Sequence, residues 1–437
     1  MAFCIPILPI LPITLFLKDM FILRFFLFFL PFQFALSPVA GIDLPLARFS
    51  AVIIFLVWFF RGIFRRTFRI PWDLQTAALL SFCFFLGLSV FFANETSWAW
   101  RKLFFLISFL PLYLVFIEKL TVSRYRGVIL AQSFVLGAFF SAIVGCVQVG
   151  LQFFVSAETL FSWWTKNLLP FFLGDAFSSV VAEYPSLLAN LSGETIMRAS
   201  AFFPDPHMHA FFLGIAFPFA VFFAWNEKRA LWRWAASIIF VADLLTFSRG
   251  AYLGLTFALL GLLVYFLSQQ NTNLRKLFLG LGFLGVFLFL PNPVSERFWS
   301  SFSQEDTSVS IRMSLYQEAV THIGEHFWTG VGLGNYPLIV KPSADRRDPI
   351  YVHNLWLDLA VEIGVIGTLF LLFFFLRTII LAYTQSEQRP KGFSLAIFCS
   401  LLIFFGHSMV ETPLFSVQIL PILLFVLALG NMSYEQK

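Results

Sequence analysis

Apolar stretches of roughly 17–25 residues recur along this chain, and each is about as long as a helix must be to cross a hydrocarbon core of about 30 Å. Hydrophobic residues make up 59% of the 437 residues and charged residues 12%, and one soluble core cannot bury such a surplus of apolar side chains. We therefore expect an all-α fold, a polytopic integral membrane bundle of about twelve transmembrane helices. The predicted spans are 20–36, 48–64, 75–93, 101–117, 127–153, 207–225, 231–247, 250–267, 274–290, 354–383, 392–407 and 413–431.

The opening stretch Ile5–Leu17 is too short for a confident span and contains Pro6, Pro9 and Pro12. We interpret it as a re-entrant or interfacial segment. A signal peptide is the alternative, although no basic region precedes the apolar residues.

Lysine and arginine are concentrated in five of the short connections, which alternation of the spans places on one face of the membrane. Cytoplasmic loops are enriched in these residues, so this face is expected to be cytoplasmic. The net charge of +5 is mostly this topological signal, and no nucleic-acid partner is expected. Membrane lipids are the expected surroundings. The five connections contain Arg61, Arg65, Arg66 and Arg69; Lys119, Arg124 and Arg126; Lys228, Arg229 and Arg233; Arg275 and Lys276; and Arg389 and Lys391.

Two long polar interruptions, 155–206 and 291–352, fall on the opposite, external face of what is expected to be a single membrane domain, 1–437. The second contains a predicted surface helix from Ser310 to Ile323. Its apolar residues have helical spacing and are expected to lie on the membrane; they are Met313, Tyr316, Val320 and Ile323.

Arginines in and beside these external loops are unusual, because positive charge is normally kept off this face. Each one alone could simply reach lipid phosphate. Together they predict an anion site, since guanidinium groups match phosphate oxygens with paired hydrogen bonds and several of them could grip a diphosphate. The candidates are Arg198, Arg249, Arg312 and Arg346.

His353 stands where the second loop meets the next span. Helical spacing places Asn354, Asp358 and Glu362 in one stripe below it, and ionisable groups at that depth are candidates for function. An imidazole near neutral pH is suited to take a proton, although capping the helix is a simpler role for His353.

Metal and nucleotide sites are not predicted. His207 and His209 lie near Asp205, but no third ligand has suitable spacing. The glycine-rich segment Gly330–Asn335 lacks the preceding strand and following helix of a nucleotide loop, and is interpreted as a turn.

Three stretches resemble the O-antigen ligase and O-antigen polymerase family of bacterial membrane glycosyltransferases. They are Phe247–Gly254, Arg312 together with Trp328–Tyr336, and His353-Asn354 with the Gly364–Gly367 helix. The resemblance covers about residues 195–375. Near Arg198, Pro204-Asp205-Pro206-His207 departs from the asparagine-proline-asparagine turn that is more usual in the family.

The resemblance implies a twelve-span enzyme of the bacterial inner membrane with its active site facing the periplasm. Its donor would be a glycan on undecaprenyl diphosphate, and its acceptor a sugar hydroxyl of lipid A core or of a second lipid-linked glycan. The reaction would be inverting, with no metal or other cofactor. His353, Arg249 and Arg312 are then the expected catalytic residues, and Arg198, Tyr316, Arg346 and Asn354 the expected substrate-binding residues.

Three alternatives to a ligase stay open. An O-antigen or exopolysaccharide polymerase would use the same donor chemistry, and a protein O-oligosaccharyltransferase would share it too. A membrane transporter also suits a row of spans, but transporters usually place their polar residues near the midplane and show related halves, which this sequence does not.

Overall fold

The computed structural model describes residues 10–432, except 40, 67–69, 71, 184–185, 192, 269–294, 296–306, 346–347, 349, 385–389 and 391. Helices dominate the described chain, as expected for an all-α membrane protein. The first half contains α1 (Ile10–Phe29), α2 (Leu46–Phe64), α3 (Leu74–Ser89), α4 (Thr96–Phe109), α5 (Leu112–Thr121), α6 (Arg124–Gly150), α7 (Ala157–Trp163), α8 (Leu169–Leu173) and α9 (Asp175–Glu183). The second half contains α10 (Pro206–Asn226), α11 (Ala230–Leu245), α12 (Arg249–Ser268), α13 (Thr307–Glu325), α14 (Tyr336–Val340), α15 (Leu355–Thr384), α16 (Phe393–Ser408) and α17 (Ile419–Asn431).

Seven stretches of the described chain are long and apolar enough to cross a membrane, and three shorter apolar helices accompany them. The seven are Leu46–Phe64, Leu74–Phe92, Thr96–Thr121, Tyr125–Phe153, Pro206–Asn226, Arg249–Ser268 and Leu355–Thr384. The chain is thus a multi-pass helical membrane protein. The predicted span 231–247 corresponds to α11, which is not among these stretches. The predicted span 274–290 lies outside the described residues, so the count of twelve stays a prediction.

The opening stretch is not a separate segment from residue 10 onward, because α1 begins at Ile10 and continues into the first predicted span. Pro12 falls in the first turn of this helix, where a missing N–H breaks no helical hydrogen bond. Residues 1–9 lie outside the described part.

Two short antiparallel hairpins in the described part of the chain depart from the all-helical expectation. In the first, β1 (Ala35–Val39) pairs with β2 (Ile42–Pro45); in the second, β3 (Leu188–Leu191) pairs with β4 (Glu194–Met197). Asp43 of β2 accepts hydrogen bonds from the backbone N–H groups of Ala176 and Phe177 at the start of α9. The first long polar stretch is therefore folded, and the start of α9 is joined to the first hairpin through Asp43.

The predicted surface helix exists as α13, but the expected lipid-facing set divides between two directions. Met313 and Val320 are 54% and 57% exposed, whereas Tyr316 and Ile323 pack into a small apolar cluster with Val352 and Val361. The expectation that all four lie on the membrane is therefore wrong for Tyr316 and Ile323, because one side of α13 packs against α15.

Helix α15 is broken at Gly364, whose φ of 82° and ψ of 163° are not helical. The Gly330–Asn335 segment packs against this break as a turn, with positive φ at Gly330, Gly332 and Gly334. Val331 and Gly332 donate N–H bonds to the carbonyls of Val361 and Glu362 at 2.8 and 3.1 Å. The turn thereby fixes the position of the α13–α15 connection relative to the bundle.

Candidate functional site

A buried carboxylate lies at the centre of a cluster of histidine and arginine side chains. Glu411 lies in the turn between α16 and α17 and is 1% exposed. Its Oε1 accepts a 2.6 Å bond from Nη2 of Arg312 on α13, and its Oε2 lies 3.2 Å from Nδ1 of His353. A buried charge is tolerated only when it is paired and hydrogen-bonded, so Glu411 draws together two residues that are 41 positions apart in the sequence.

His353 is held in an uncommon backbone conformation just before α15. Its φ is +57°, a left-handed conformation that costs an L-residue about 1–2 kcal/mol. Asn354 next to it accepts bonds from the N–H groups of Trp356 and Leu357 and caps the helix. The Tyr316 hydroxyl donates to the His353 carbonyl at 3.1 Å. These contacts fix the direction of the His353 side chain.

A serine, Ser248, lies between two histidines and adds both of them to the cluster around Glu411. Ser248 Oγ lies 2.8 Å from Nδ1 of His207 and 3.2 Å from Nε2 of His407. The Nε2 atom of His207 lies 3.8 Å from Glu411 Oε1, and the His407 ring stacks on Phe211 with centroids 3.6 Å apart. His207 is thus a third neighbour of Glu411, and its Nδ1 atom contacts Ser248.

Arg198 is 4% exposed and donates mainly to backbone carbonyls. Nε donates to Thr246 at 2.7 Å, Nη1 to Ser186 at 3.0 Å and Nη2 to Phe247 at 3.3 Å; Nη2 also lies 3.5 Å from Nε2 of His207. Arg198 therefore joins the segment before α10 to the α11–α12 turn, and brings His207 to that turn.

Three further residues considered from the sequence are Arg249, Arg346 and His209. Arg249 is the first residue of α12, directly after Ser248, and is half-buried. Arg346 lies outside the described residues. His209, weighed as a metal ligand beside His207, is a core residue whose ring nitrogens lie 3.0 Å from Ser141 Oγ and from the Ala199 carbonyl.

The carboxylates of Asp358 and Glu362, which follow His353 on α15, contact other groups of the protein. Asp358 accepts from the N–H of Val352 at 3.1 Å. Glu362 pairs with Nζ of Lys102 at 2.6 Å, and Lys102 also lies over the Phe415 ring. Within the described part of the chain, no group of three or more His, Cys, Asp and Glu side chains is placed to hold a metal ion.

Electrostatics keep Glu411 ionised. Burial would raise the pKa of Glu411, but His207, His353 and Arg312 more than offset this effect and hold the pKa well below its usual range. Burial and the negative charge of Glu411 raise the pKa of Asp205 to about 6, partly countered by Arg198. Asp205 caps α10 by accepting from the N–H of His207. The cluster thus contains one carboxylate fixed as an anion and one that titrates near pH 6.

Glu411, Ser248 and His407 were missed as site residues, and His207 was considered only as a metal ligand. Glu411 did carry a signal, because it is the one carboxylate in the short 408–418 connection between two apolar spans. Ser248 lies inside the Phe247–Gly254 motif but was overlooked beside Arg249.

Two comparisons with known proteins bear on this site. Residues 234–372 match the family described as O-Antigen ligase, an interval that includes Ser248, Arg249, Arg312 and His353 and ends before Glu411. The comparison with curated proteins finds no match. The family match confirms, over residues 234–372, the similarity to O-antigen ligases and polymerases that the motifs predicted.

Proposed function

We propose that this protein is an O-antigen ligase-like glycosyltransferase. It moves a glycan from undecaprenyl diphosphate to a sugar hydroxyl of lipid A core, at the periplasmic face of the bacterial inner membrane. One observation carries the proposal: the ionised Glu411 contacts both His353 and Arg312. Its Oε2 lies 3.2 Å from Nδ1 of His353, and its Oε1 accepts a bond from the Arg312 guanidinium.

The base in this scheme is His353. A carboxylate can only accept, so Nδ1 must carry the proton and donate to Glu411 Oε2, which leaves a lone pair on Nε2. A sugar hydroxyl is a poor nucleophile until its proton is removed. As the acceptor oxygen attacks the anomeric carbon, Nε2 takes its proton, and Glu411 stabilises the resulting imidazolium.

The leaving group is undecaprenyl diphosphate. When the bond between the anomeric carbon and the phosphate oxygen breaks, the bonding electron pair stays on that oxygen, and the gained negative charge needs positive partners. Arg312 provides one, since a guanidinium has five N–H donors and the Glu411 contact is made by Nη2. Arg249 is the second candidate, at the N-terminus of α12. Direct displacement inverts the anomeric centre.

The geometry favours positioning roles for three residues that were expected to bind substrate. Arg198 donates to carbonyls, Asn354 caps α15 and Tyr316 supports the His353 backbone. We assign these three side chains to holding His207 and His353 in place. Arg346 remains a proposed substrate contact.

The acceptor separates the main proposal from its closest alternative. An O-antigen or exopolysaccharide polymerase would extend a second lipid-linked glycan with the same base and the same leaving group. A transporter would move a solute without forming a glycosidic bond. The match to an O-antigen ligase family favours transfer over transport.

The test is reconstitution in vesicles with an undecaprenyl-diphosphate glycan and, separately, lipid A core or a second lipid-linked glycan. We expect transfer to lipid A core, and its near loss in His353→Ala and Arg249→Ala. Matched controls are His322→Ala, a histidine on α13 whose partner is Glu325, and Arg233→Ala on the exposed side of α11. Normal turnover by His353→Ala would exclude His353 as the general base. Transfer only to the lipid-linked glycan would identify a polymerase, and solute uptake without transfer would identify a transporter.

A further inference from the structure

Helix α15 changes its surroundings at Gly364. On the C-terminal side of the break, Leu369, Phe373, Leu376 and Ile380 recur at helical spacing and are 41–59% exposed, as expected of a face against acyl chains. On the N-terminal side, side chains are buried in several directions, including Leu355, Leu359 and Ile363 at 1% exposure or less. The lipid-facing stripe of α15 therefore ends at the break.

The segment that covers the N-terminal part of α15 comes from the end of α13. The N–H of Val365, just after the break, donates to the carbonyl of Phe327 at 2.9 Å. Gly364 itself lies so close to the Trp328 carbonyl that a Cβ there would overlap it. Phe327 and Trp328 are thus the residues of this covering segment that lie nearest the lipid-facing stripe of α15.

The lengths of two separate helices indicate that this edge lies near a boundary of the hydrocarbon core. The part of α15 from Gly364 to Thr384 is about 31 Å long at 1.5 Å per residue, which matches a core of about 30 Å. The spanning stretch Leu74–Phe92 ends one residue before Ala93, and Ala93 packs so tightly against Gly332 that a Cβ at Gly332 would overlap it.

Exposed aromatic side chains gather at this level. Trp328 is 67% exposed, Phe327 41%, Phe91 78% and Phe92 50%. We call these four residues the aromatic rim. Aromatic rings are enriched where the acyl chains meet the headgroups.

We propose that the aromatic rim docks on the lipid surface of the outer leaflet, at the boundary between headgroups and acyl chains. The rim continues the lipid-facing stripe of α15, which is why we assign it to lipid rather than to a second protein. Its role goes beyond the proposed transfer reaction. It anchors one end of α13 in the membrane, while the other end carries Arg312.

The anchor sets the height of the site. His353 lies just before Leu355, the first residue of α15, and Leu355 is nine residues before Gly364, which corresponds to about 14 Å along the helix. The cluster around Glu411 is therefore held beyond the acyl region, where phosphates and sugars are found. Lipid acts as a structural support for the Arg312–Glu411 pair.

The test measures depth with a nitroxide spin label. In a background with the four cysteines changed to alanine, a label is attached at Trp328→Cys. A matched label is attached at Thr321→Cys, seven residues earlier in the sequence on the exposed side of α13. The protein is placed in vesicles of phosphatidylethanolamine and phosphatidylglycerol. We expect the label at position 328 to collide several-fold more with oxygen, which partitions into lipid, than with a water-soluble nickel chelate. The label at position 321 should show the opposite preference.

Each other outcome overturns the proposal. Equal access of the nickel chelate at both positions would place the rim in water, and shielding of position 328 from both reagents would place it against protein. A label at Phe91→Cys gives a second reading if Trp328→Cys does not fold. Because no glycan transfer is needed, failure of the proposed reaction leaves this measurement unaffected.

Discussion

Glu411 is the residue on which the geometry of the cluster depends, since Arg312, His353 and His207 all approach its two oxygens. Glu411→Gln keeps the shape of the side chain and removes its charge. The imidazolium formed at His353 then loses its counter-charge, and we expect the transfer rate to fall on the order of 10²-fold, the low end of what a general base contributes. Turnover is measured in vesicles with Glu325→Gln, an exposed carboxylate on α13, as the control. An unchanged rate in Glu411→Gln would exclude this role.

Asp205 provides a pH-dependent test of the same cluster. Its folded pKa of about 6 lies above the unfolded value of about 3.9. The folded state therefore binds this proton more tightly, and stability falls as the pH rises from about 4 to about 6 and stays lower above that. Asp205→Asn removes the charge while keeping an effective helix cap.

We expect Asp205→Asn to unfold at the same temperature as the wild type near pH 4, after allowance for the cap, and at a higher temperature at pH 7–8. The measurement is a thermal unfolding series in detergent across that range. A variant that is less stable than the wild type at pH 7–8 would show that the Asp205 charge is favourable in the folded state.

At this scale the sequence exposed the unusual charges but not their partners. Arg312 and His353 stood out because a guanidinium and an imidazole at the external face need an explanation. Glu411 did not, because a single carboxylate in a short external turn is ordinary until the fold shows that it is buried. The contacts of Arg198 could not be predicted either, since every residue has a backbone carbonyl and the sequence does not indicate which of them an arginine contacts.

The element that most directly supports the site is the broken helix α15 with the turn packed against it. Gly364 has φ 82° and ψ 163°, a region that is open almost only to glycine. Gly364→Ala is expected to destabilise the fold by about 1–3 kcal/mol and to lower the transfer rate, because His353 lies on the same helix. The matched control is Gly87→Ala in α3, where a Cβ meets nothing within 4 Å and alanine favours the helix. Equal thermal shifts in the two variants would mean that the break is not required.

Element boundaries followed the sequence where the pattern was long. The helix predicted over Ser310–Ile323 is found at Thr307–Glu325, and the glycine-rich segment is the predicted turn. The break in α15 was not predicted, because a single glycine in an apolar run usually continues a transmembrane helix. The two hairpins were not predicted either, since strands of four or five residues show too little alternation to be read beside apolar spans.

For the whole molecule, hydropathy could predict a helical membrane protein and the positions of its apolar helices, because the bilayer leaves the backbone few other ways to satisfy its hydrogen bonds. The arrangement that gathers Arg312, His353 and Glu411 depends on packing between helices far apart in the sequence. No periodicity in one helix records that packing.

Orientation is the property of the whole molecule on which the proposed periplasmic site depends. The predicted topology places the folded loop with α7–α9 in the periplasm and the basic connection between α10 and α11 in the cytoplasm. Two exposed asparagines make a matched pair of labelling sites: Asn167 in that loop and Asn226 at the end of α10. The four cysteines are changed to alanine, and each single-cysteine variant is tested in spheroplasts of the expressing bacterium. A membrane-impermeant maleimide should label Asn167→Cys in intact spheroplasts and Asn226→Cys only after permeabilisation. We expect this result because the positive charges beside Asn226 hold that connection in the cytoplasm. The reverse pattern would place Glu411 and its partners on the cytoplasmic face and exclude a reaction with glycans presented in the periplasm.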